Sequence, residues 1–388
     1  MDSEFIYLDN NSTTPVDPKV MESMIPYMRE HYANASSNHA MGQIALNAID
    51  DSKCKIADLI HCDPNEIIFT SGSTESINII LKGVSSSLTQ KGSHIITVKS
   101  EHKAVIDTCQ YLEDIGCEIT YLDVDEYGMI NLDDLNNSIR HDTILVCIMW
   151  ANNETGVIQD IESIAQVCRQ KETLLFTDAT QAFGKISINL ERSDIDFLCF
   201  SGHKAYGPKG VGGLYVKESA NHMLSPLIHG GGHQKNLRSG TLNVPGIVGL
   251  GKAAEIAGIT MKEDVERIKE MRDYLELRLS SLDDTRVNGG NSRLFNTSNI
   301  TFKGVEADFL IEGLKGIAFS NGSACSSALL EPSHVLRSMG LSDADAFSSI
   351  RFSLGRFNTM EEITRSVDLI SSSVKNFRKQ KMEVANHG

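Results

Sequence analysis

Long hydrophobic stretches are missing from this 388-residue sequence, whose best apolar run spans residues 144–151. Crossing a bilayer takes about 20 apolar residues, so no transmembrane helix is predicted. The N-terminus, Met1-Asp2-Ser3-Glu4, is acidic and lacks the cationic start and apolar core of a secretory signal. It also lacks the Arg-rich character of a transit peptide. We therefore expect a cytoplasmic or similarly reducing location and no membrane partner.

An excess of positive charge is also missing. The chain carries 36 Lys and Arg against 51 Asp and Glu, a formal net charge of −15. Binding a phosphate backbone requires clustered Lys and Arg, so no nucleic-acid partner is expected.

Closely spaced cysteine pairs are absent as well. None of the eight cysteines forms a Cys-x-x-Cys motif, so no zinc site is predicted. A long chain without a secretory signal does not require disulfides either. Cys147 and Cys199 lie in apolar runs and are predicted to be small buried hydrophobic residues.

What the sequence does contain, between residues 44 and 255, is an alternation of short apolar segments with helical ones. This pattern predicts an α/β fold with a mostly parallel central sheet flanked by helices. The predicted strands cover residues 67–70, 94–98, 118–122, 143–150, 173–177 and 195–200, and one of the predicted helices covers residues 161–171. Several strands are apolar throughout, as in a sheet that is covered on both faces.

The pattern changes near residue 251, where a long, charge-rich helix is predicted over residues 252–282. Strands near 298–302 and 317–319 and helices near 333–339 and 360–378 follow it. A chain of this length exceeds the usual size of one hydrophobic core. We expect residues 15–255 to form a large α/β domain, and residues 1–14 and 256–388 a smaller α+β domain.

Polar residues follow five of the predicted strands. The segments after the apolar runs are Thr70-Ser-Gly-Ser-Thr-Glu-Ser, Lys99-Ser-Glu-His, Asn152-Asn-Glu-Thr-Gly, Thr177-Asp-Ala-Thr-Gln and Ser201-Gly-His-Lys. Ligands of open parallel sheets bind beyond the carboxyl ends of the strands. The five segments are therefore predicted to line a single site.

The first of these segments has the features of an anion site. Gly72 allows close backbone approach, and Ser73 and Thr74 place hydroxyls and amides at a helix start. The alternative is a plain N-cap with Glu75 and Ser76 in the first turn. No lysine follows as in a nucleotide-binding P-loop, which argues against ATP.

Lys204 and Asp178 suggest a cofactor. A partly desolvated lysine has a lowered pKa and is suited to covalent attachment of an aldehyde. A carboxylate facing a pyridine nitrogen keeps it protonated, as pyridoxal 5'-phosphate (PLP) chemistry requires. Taken singly, Lys204 could extend to water and Asp178 could cap a helix. Together they favour a PLP site.

In these motifs the chain closely resembles the cysteine desulfurases of the NifS/IscS type, within the class-V aminotransferase family of fold-type I PLP enzymes. The resemblance runs from residue 6 to about residue 357. Its most specific remaining motifs are Glu101-His-Lys-Ala-Val, His229-Gly-Gly-Gly-His, Arg238-Ser-Gly-Thr, Gly322-Ser-Ala-Cys-Ser-Ser and Ser349-Ile-Arg-Phe-Ser-Leu-Gly-Arg.

The resemblance implies a PLP site in which Lys204 carries the cofactor, Asp178 pairs with the pyridine nitrogen and Gln181 bonds the ring hydroxyl. His102 would stack on the ring and move protons. The phosphate would be held by Ser73, Thr74, Ser201, His203 and, from the second subunit of a homodimer, Thr241.

Substrate binding is implied for two further residues. Asn153 would lie near the cofactor hydroxyl and the L-cysteine substrate, and Arg351 would clamp the substrate carboxylate. A bidentate guanidinium suits that task. Arg351 as a surface ion-pair partner is the alternative.

Cys325 is the predicted acceptor of sulfur. Its loop, Ser320-Asn-Gly-Ser-Ala-Cys-Ser-Ser-Ala, is built from small residues and lacks an apolar anchor, so we expect it to be exposed and mobile. Mobility would let the thiol collect sulfur in the cleft and carry it outward. The alternative is an incidental surface thiol. No metal site is expected beyond a transient iron–sulfur contact through Cys325.

The implied reaction converts L-cysteine to L-alanine and leaves a persulfide on Cys325. An iron–sulfur scaffold protein or a tRNA-thiolation carrier would then receive the sulfur. Residues 377–388 are shorter than the tail with which IscS-type members dock a scaffold, so no particular acceptor is specified. A selenocysteine lyase, an aminotransferase that needs no thiol loop, and a non-enzymatic sulfur-transfer scaffold are the rival interpretations.

Overall fold

The computed structural model describes residues 5–321 and 331–387. The strands of these ranges are β1 (Ile6–Tyr7), β2 (Ile67–Thr70), β3 (His94–Val98), β4 (Glu118–Leu122), β5 (Thr143–Cys147), β6 (Leu174–Asp178), β7 (Phe197–Ser201), β8 (Gly212–Val216), β9 (Thr285–Asn288), β10 (Thr297–Phe302), β11 (Ile317–Ala318) and β12 (Ser349–Ser353).

The helices of the same ranges surround these strands. They are α1 (Pro18–Arg29), α2 (Ala40–Ile60), α3 (Ser73–Ser87), α4 (Lys103–Asp114), α5 (Leu132–Ser138), α6 (Ile161–Gln170), α7 (Val244–Ser280), α8 (Ala307–Gly313), α9 (His334–Ser338), α10 (Asp343–Phe347) and α11 (Met360–His387).

A seven-stranded sheet in the order β2-β8-β7-β6-β5-β3-β4 forms the centre of the fold. The pairs from β7 to β4 are all parallel, and only the pairs made by β8 are antiparallel. Strands β3, β5, β6 and β7 are buried along their whole length. Apolar clusters cover both faces of the sheet. The predicted α/β fold with a mostly parallel, doubly covered sheet is confirmed.

Strand β8 was not predicted from the sequence. It begins with two glycines, which have low strand propensity. Both are needed for packing: a Cβ on Gly213 would lie 2.2 Å from the ring of Phe200, and one on Gly212 would lie 2.7 Å from Gly72 Cα. Tertiary contacts therefore decide the conformation of a segment whose composition indicates a loop.

A second, three-stranded antiparallel sheet has the order β12-β10-β9, and β1 pairs in parallel with β11 nearby. These strands share an apolar core with the later part of α7 and with α11. Strands β9 and β12 were not predicted. The predicted strands and helices of this region are otherwise present within a few residues of their expected bounds, except that α11 extends nine residues beyond residue 378.

Helix α7 joins the two cores, and it is longer at its start than the predicted 252–282. Asn243 accepts a hydrogen bond from the Gly246 amide, and Pro245 occupies the first turn. Both are ordinary start signals. Residues Ile247 and Leu250 pack into the large core, whereas Ile268 and Leu275 pack into the small one.

By length and composition alone, α7 is the one helix in residues 5–321 and 331–387 that could cross a membrane, with a mean hydropathy of 1.2 in its most apolar window. Of that window, 56% is buried inside the protein. A core helix passes the same test, so a single helix of this kind is weak evidence for a membrane span.

Candidate functional site

The carboxyl ends of the parallel strands surround a cavity of about 540 Å³. Ten of the predicted site residues line it: Ser73, Thr74, His102, Asn153, Asp178, Gln181, Ser201, His203, Lys204 and Arg351. Residues from all five polar segments therefore meet at one cleft, as predicted. The N-terminal segment adds Asn11 and Ser12, for which the sequence suggested no role.

Lys204 ends a short 3-10 turn that follows β7. Its ammonium donates to the carbonyl oxygens of Asn11 (2.6 Å) and Ser12 (2.7 Å). Burial, reinforced by the charge of Arg351, lowers the pKa of Lys204 to about 8. A substantial share of the amine is therefore neutral near physiological pH, and only the neutral amine can attack an aldehyde.

Asp178 lies at the end of β6, directly beside Cys199 of β7. The amide (2.9 Å) and the hydroxyl of Thr180, together with the Cys199 thiol (3.4 Å), all donate to its Oδ1 atom. No hydrogen bond from the described residues reaches Oδ2. The carboxylate is thus held by one oxygen, and the other is available to a ligand in the cleft.

The helix start after β2 is open to a ligand. Gly72 precedes α3 with φ of 151°, and no side chain caps the first turn. The Ser73 hydroxyl lies 2.5 Å from that of Thr180, while Glu75 accepts from the Ser71 amide and pairs with Arg238. The absence of a capping side chain favours the anion site over the plain N-cap interpretation. The free amides of α3 fit an anion.

His102 is the N-cap of α4, and its Nδ1 atom accepts from the Ala104 amide at 3.1 Å. That bond leaves the Nε2 atom to carry the proton of the neutral ring. Burial lowers the pKa of His102, and Asp178 opposes this shift. His203 lies 3.1 Å from the Thr13 hydroxyl, and burial lowers its pKa to about 4. The lowered pKa values favour the neutral form of both rings.

Arg351 is buried, with 4% of its surface exposed, so the alternative of a surface ion pair is wrong. Its Nη2 atom donates to Asp9 and to the Ser12 hydroxyl, both at 2.6 Å, and its Nη1 atom donates to the Asn153 carbonyl at 3.0 Å. Its Nε atom is buried and has no hydrogen-bond partner among the described residues. An unsatisfied buried donor of this kind is costly and indicates a ligand.

Gln181 is held at both ends of its amide. Its Nε2 atom donates to the Asn11 carbonyl at 2.9 Å, and its Oε1 atom accepts from the Lys185 ammonium at 2.7 Å. Sequence reasoning missed Lys185, because a single lysine in a turn is normally a solvated surface residue.

One described site residue lies outside this cleft, and another prediction falls on residues that the structure does not describe. Thr241 is exposed and does not line this cleft; it borders a separate depression beside Tyr27, His31 and Tyr32. Cys325 lies outside the described residues. Ser320, which precedes it, lines the cleft, and Ser333, which follows it, donates to Glu154 at 2.5 Å.

Buried thiols elsewhere in the described chain are poor nucleophiles. Burial raises the pKa of Cys109 and of Cys168 to about 12, and it raises the pKa values of Cys147 and Cys199 well above the ordinary thiol value. Because the thiolate is the reactive form, these four cysteines are inert at neutral pH.

The lowered pKa of Lys204 gives a prediction for the cofactor-free protein. The neutral fraction of an amine rises with pH, so the rate of attachment of an added aldehyde should level off above pH 8, near the pKa of about 8. The measurement is the growth of the visible absorbance band after PLP is added, at a series of pH values, with N-acetyl-lysine as the control amine. A rate that continues to climb steeply beyond pH 9, as for the control, would contradict the assignment.

The family model for "Aminotransferase class-V" matches residues 6–365 of the chain. A protein named "Cysteine desulfurase IscS" from Colwellia psychrerythraea is 48% identical over 377 residues, which are 96% of this chain and 93% of the relative. A protein of the same name from Histophilus somni is 49% identical over the same shares of both chains.

Solved structures give the same result. One titled "NIFS-LIKE PROTEIN" has a TM-score of 0.90 at 39% identity and covers 96% of this chain and 99% of its own. Another, "SspA in complex with cysteine", has a TM-score of 0.81 at 38% identity and covers 91% of this chain and 100% of its own.

Proposed function

The chain belongs to the class-V aminotransferase family, and from this premise we propose that it is a PLP-dependent cysteine desulfurase that converts L-cysteine to L-alanine and captures the sulfur. The observation that carries the proposal is that Lys204 and Asp178, at the ends of neighbouring strands, line the same cleft as the buried Arg351. Cysteine as the substrate is supported by the cysteine complex of a related structure.

The residues of the cleft fit PLP. Lys204 supplies an amine for its aldehyde, and the free Oδ2 atom of Asp178 supplies a partner for its pyridine nitrogen. The open start of α3 with Ser73 and Thr74, joined by Ser201 and His203, supplies donors for its phosphate. When bound, PLP draws electrons away from the substrate's α-carbon and so makes its proton easier to remove.

The protein's own groups would move the protons. The Lys204 amine, when it is not attached to the cofactor, would be a base whose lowered pKa suits removal of the substrate's α-proton near neutral pH. His102 presents a neutral ring with its proton on Nε2 toward the cleft and would exchange protons with the substrate. Gln181 would bond the cofactor's ring hydroxyl through its fixed amide.

Arg351 and Asn153 would hold the substrate. The Nε–H group of Arg351, which has no hydrogen-bond partner among the described residues, and its remaining Nη1 hydrogen are available to a substrate carboxylate. Asp9 and the Ser12 hydroxyl both accept from Nη2, and these bonds fix the guanidinium plane. Asn153 lies beside it on the cleft wall.

Cys325 would receive the sulfur. It follows the cleft residue Ser320 by five positions in the sequence. Its thiolate would attack the sulfur of the substrate, and the bond from that sulfur to Cβ would break. A persulfide remains on Cys325, and protonation of the three-carbon fragment gives alanine.

A homodimer is part of the proposal. An exposed apolar surface is formed by Met21, Ile25 and Met28 of α1 with the nearby Tyr32, which is 72% exposed. Exposed apolar patches of this kind mark association sites. Thr241 borders this surface and does not line the cleft of its own chain, and it would complete the phosphate site of a second subunit.

The dimer gives a testable prediction. Changing Met28→Asp should place a charge in the apolar contact, convert the dimer to a monomer and weaken PLP retention, because each cleft would lose Thr241. Sedimentation and the visible band measure the two effects. Ile115→Asp, at an exposed apolar position at the end of α4, is the matched control. A Met28→Asp protein that remains dimeric would rule out this surface.

The destination of the sulfur and the domain division complete the proposal. The persulfide would pass to an iron–sulfur scaffold protein or another sulfur acceptor in a reducing cytoplasm.

Residues 15–255 would form the cofactor domain, and residues 1–14 and 256–388 the domain that carries Arg351 and Cys325. The separate apolar cores support this division, with α7 crossing the boundary.

The proposed function is tested by incubating purified protein with L-cysteine and a thiol reductant and measuring the alanine and sulfide that form. Equal amounts of alanine and sulfide are expected, in proportion to the PLP content. Transfer of the amino group to a 2-oxo acid without release of sulfide would instead identify an aminotransferase.

A further inference from the structure

Lys185 is a buried lysine in the turn that follows β6, with 7% of its surface exposed. Within the described ranges its ammonium makes one hydrogen bond, to Gln181 Oε1, and no salt bridge. A buried ammonium without a carboxylate is expensive, and a well-packed apolar side chain would ordinarily be more stable there. The position therefore needs an explanation beyond stability.

The charged groups around Lys185 are mostly of its own sign. Lys204 and Arg351 both repel its ammonium, and Lys185 in turn contributes to lowering the pKa of His203. The acids of the cleft, Asp178 and Asp9, act on Lys204 instead. Burial and the neighbouring cations lower the pKa of Lys185 to about 7. A cluster of this composition is suited to an anionic ligand.

The hydrogen bond from Lys185 also decides how Gln181 is oriented. An ammonium only donates, so the end of the amide that it contacts must be the oxygen. The NH2 group is then fixed toward the N-terminal segment, where it donates to the Asn11 carbonyl. The same carbonyl accepts from Lys204. One amide and one carbonyl thus connect the two lysines.

We propose that Lys185 is a positioning residue of the cofactor site: it holds the Gln181 amide with its NH2 group toward the cofactor, and its ammonium, when protonated, places a positive charge close to Lys204. The proposal rests on the proposed function, because it assigns a role toward bound PLP. That charge, while Lys185 is protonated, disfavours a second positive charge on the nitrogen of Lys204. The proton on that nitrogen should therefore dissociate at a lower pH than it would without Lys185.

The test uses the full-length enzyme with bound PLP and the variant Lys185→Met, which keeps the length and apolar stem of the side chain. The pH midpoint of the visible absorbance change should rise by on the order of one unit, the size expected for two partly buried charges at an effective dielectric constant of about 20. The affinity for PLP should fall by about tenfold with the loss of the oriented amide. Lys171→Met, at an exposed position after α6, is the control.

A second variant separates the two parts of the role and serves if Lys185→Met does not fold. Lys185→Gln keeps a donor for Gln181 and removes the charge, so it should restore PLP affinity in part and leave the midpoint raised. A midpoint equal to that of the wild type in a folded variant would overturn the inference. Failure of the wild-type protein to bind PLP at all would instead overturn the proposed function.

Discussion

Replacing Lys204 with alanine is expected to abolish the visible absorbance of the PLP-loaded protein and to reduce alanine and sulfide formation by at least about 10²–10⁴-fold. Two roles are lost together. The cofactor is no longer attached covalently, and the amine with a pKa lowered to about 8 is no longer there to take the α-proton. The first role is measured by absorbance and the second by the rate of product formation.

Two controls make the Lys204→Ala result specific. Lys171→Ala changes an exposed lysine directly after α6 and should leave both the absorbance and the rate of product formation unchanged. Added methylamine should restore part of the activity of Lys204→Ala, because a free amine can take the proton in place of the missing side chain. Full activity of Lys204→Ala without added amine would refute the assignment of this residue.

Replacing Cys325 with alanine should stop sulfide release while the cofactor remains bound. Removal of a covalent nucleophile costs several orders of magnitude in turnover, and a loss of more than roughly 10³-fold is expected. Lys204 and Asp178 are intact in this variant, so exchange of the substrate's α-proton with deuterated solvent should continue. The visible band should also be unchanged.

The buried thiols are not expected to substitute for Cys325 in this variant. Burial raises the pKa values of Cys147 and Cys199 well above the ordinary range, so neither can replace Cys325 as a nucleophile. Cys54 is exposed and provides the matched control, since Cys54→Ala should behave as the wild type. Unchanged amino transfer in Cys325→Ala would favour an aminotransferase, and unchanged selenide release from selenocysteine would favour a selenocysteine lyase.

The sequence was sufficient to predict where the site lies, because in a parallel sheet the polar segments after the strands share one edge. Asp178, Lys204 and His102 were found in this way. The strands were also predictable where they are apolar throughout. Strand β8 was not, because its two glycines are required by Phe200 and Gly72, contacts that exist only in the folded chain.

Residues that act through their partners were harder to predict. Asp9 and Ser12 hold Arg351 from nearly 340 positions away along the chain, and no local pattern signals such a contact. Lys185 resembles a surface lysine until its burial and its bond to Gln181 are seen. Thr241 does not line the cleft of its own chain, so its predicted role depends on a second copy.

Mass spectrometry of the peptide that contains Cys325, after the enzyme has been mixed with L-cysteine and trapped with an alkylating reagent, is the most direct test of the mechanism. One additional sulfur on Cys325 is expected in the wild type, matched by alanine in solution, and none is expected in Lys204→Ala. Alanine formed with no sulfur on Cys325, or sulfur on Cys325 without Lys204, would contradict the mechanism.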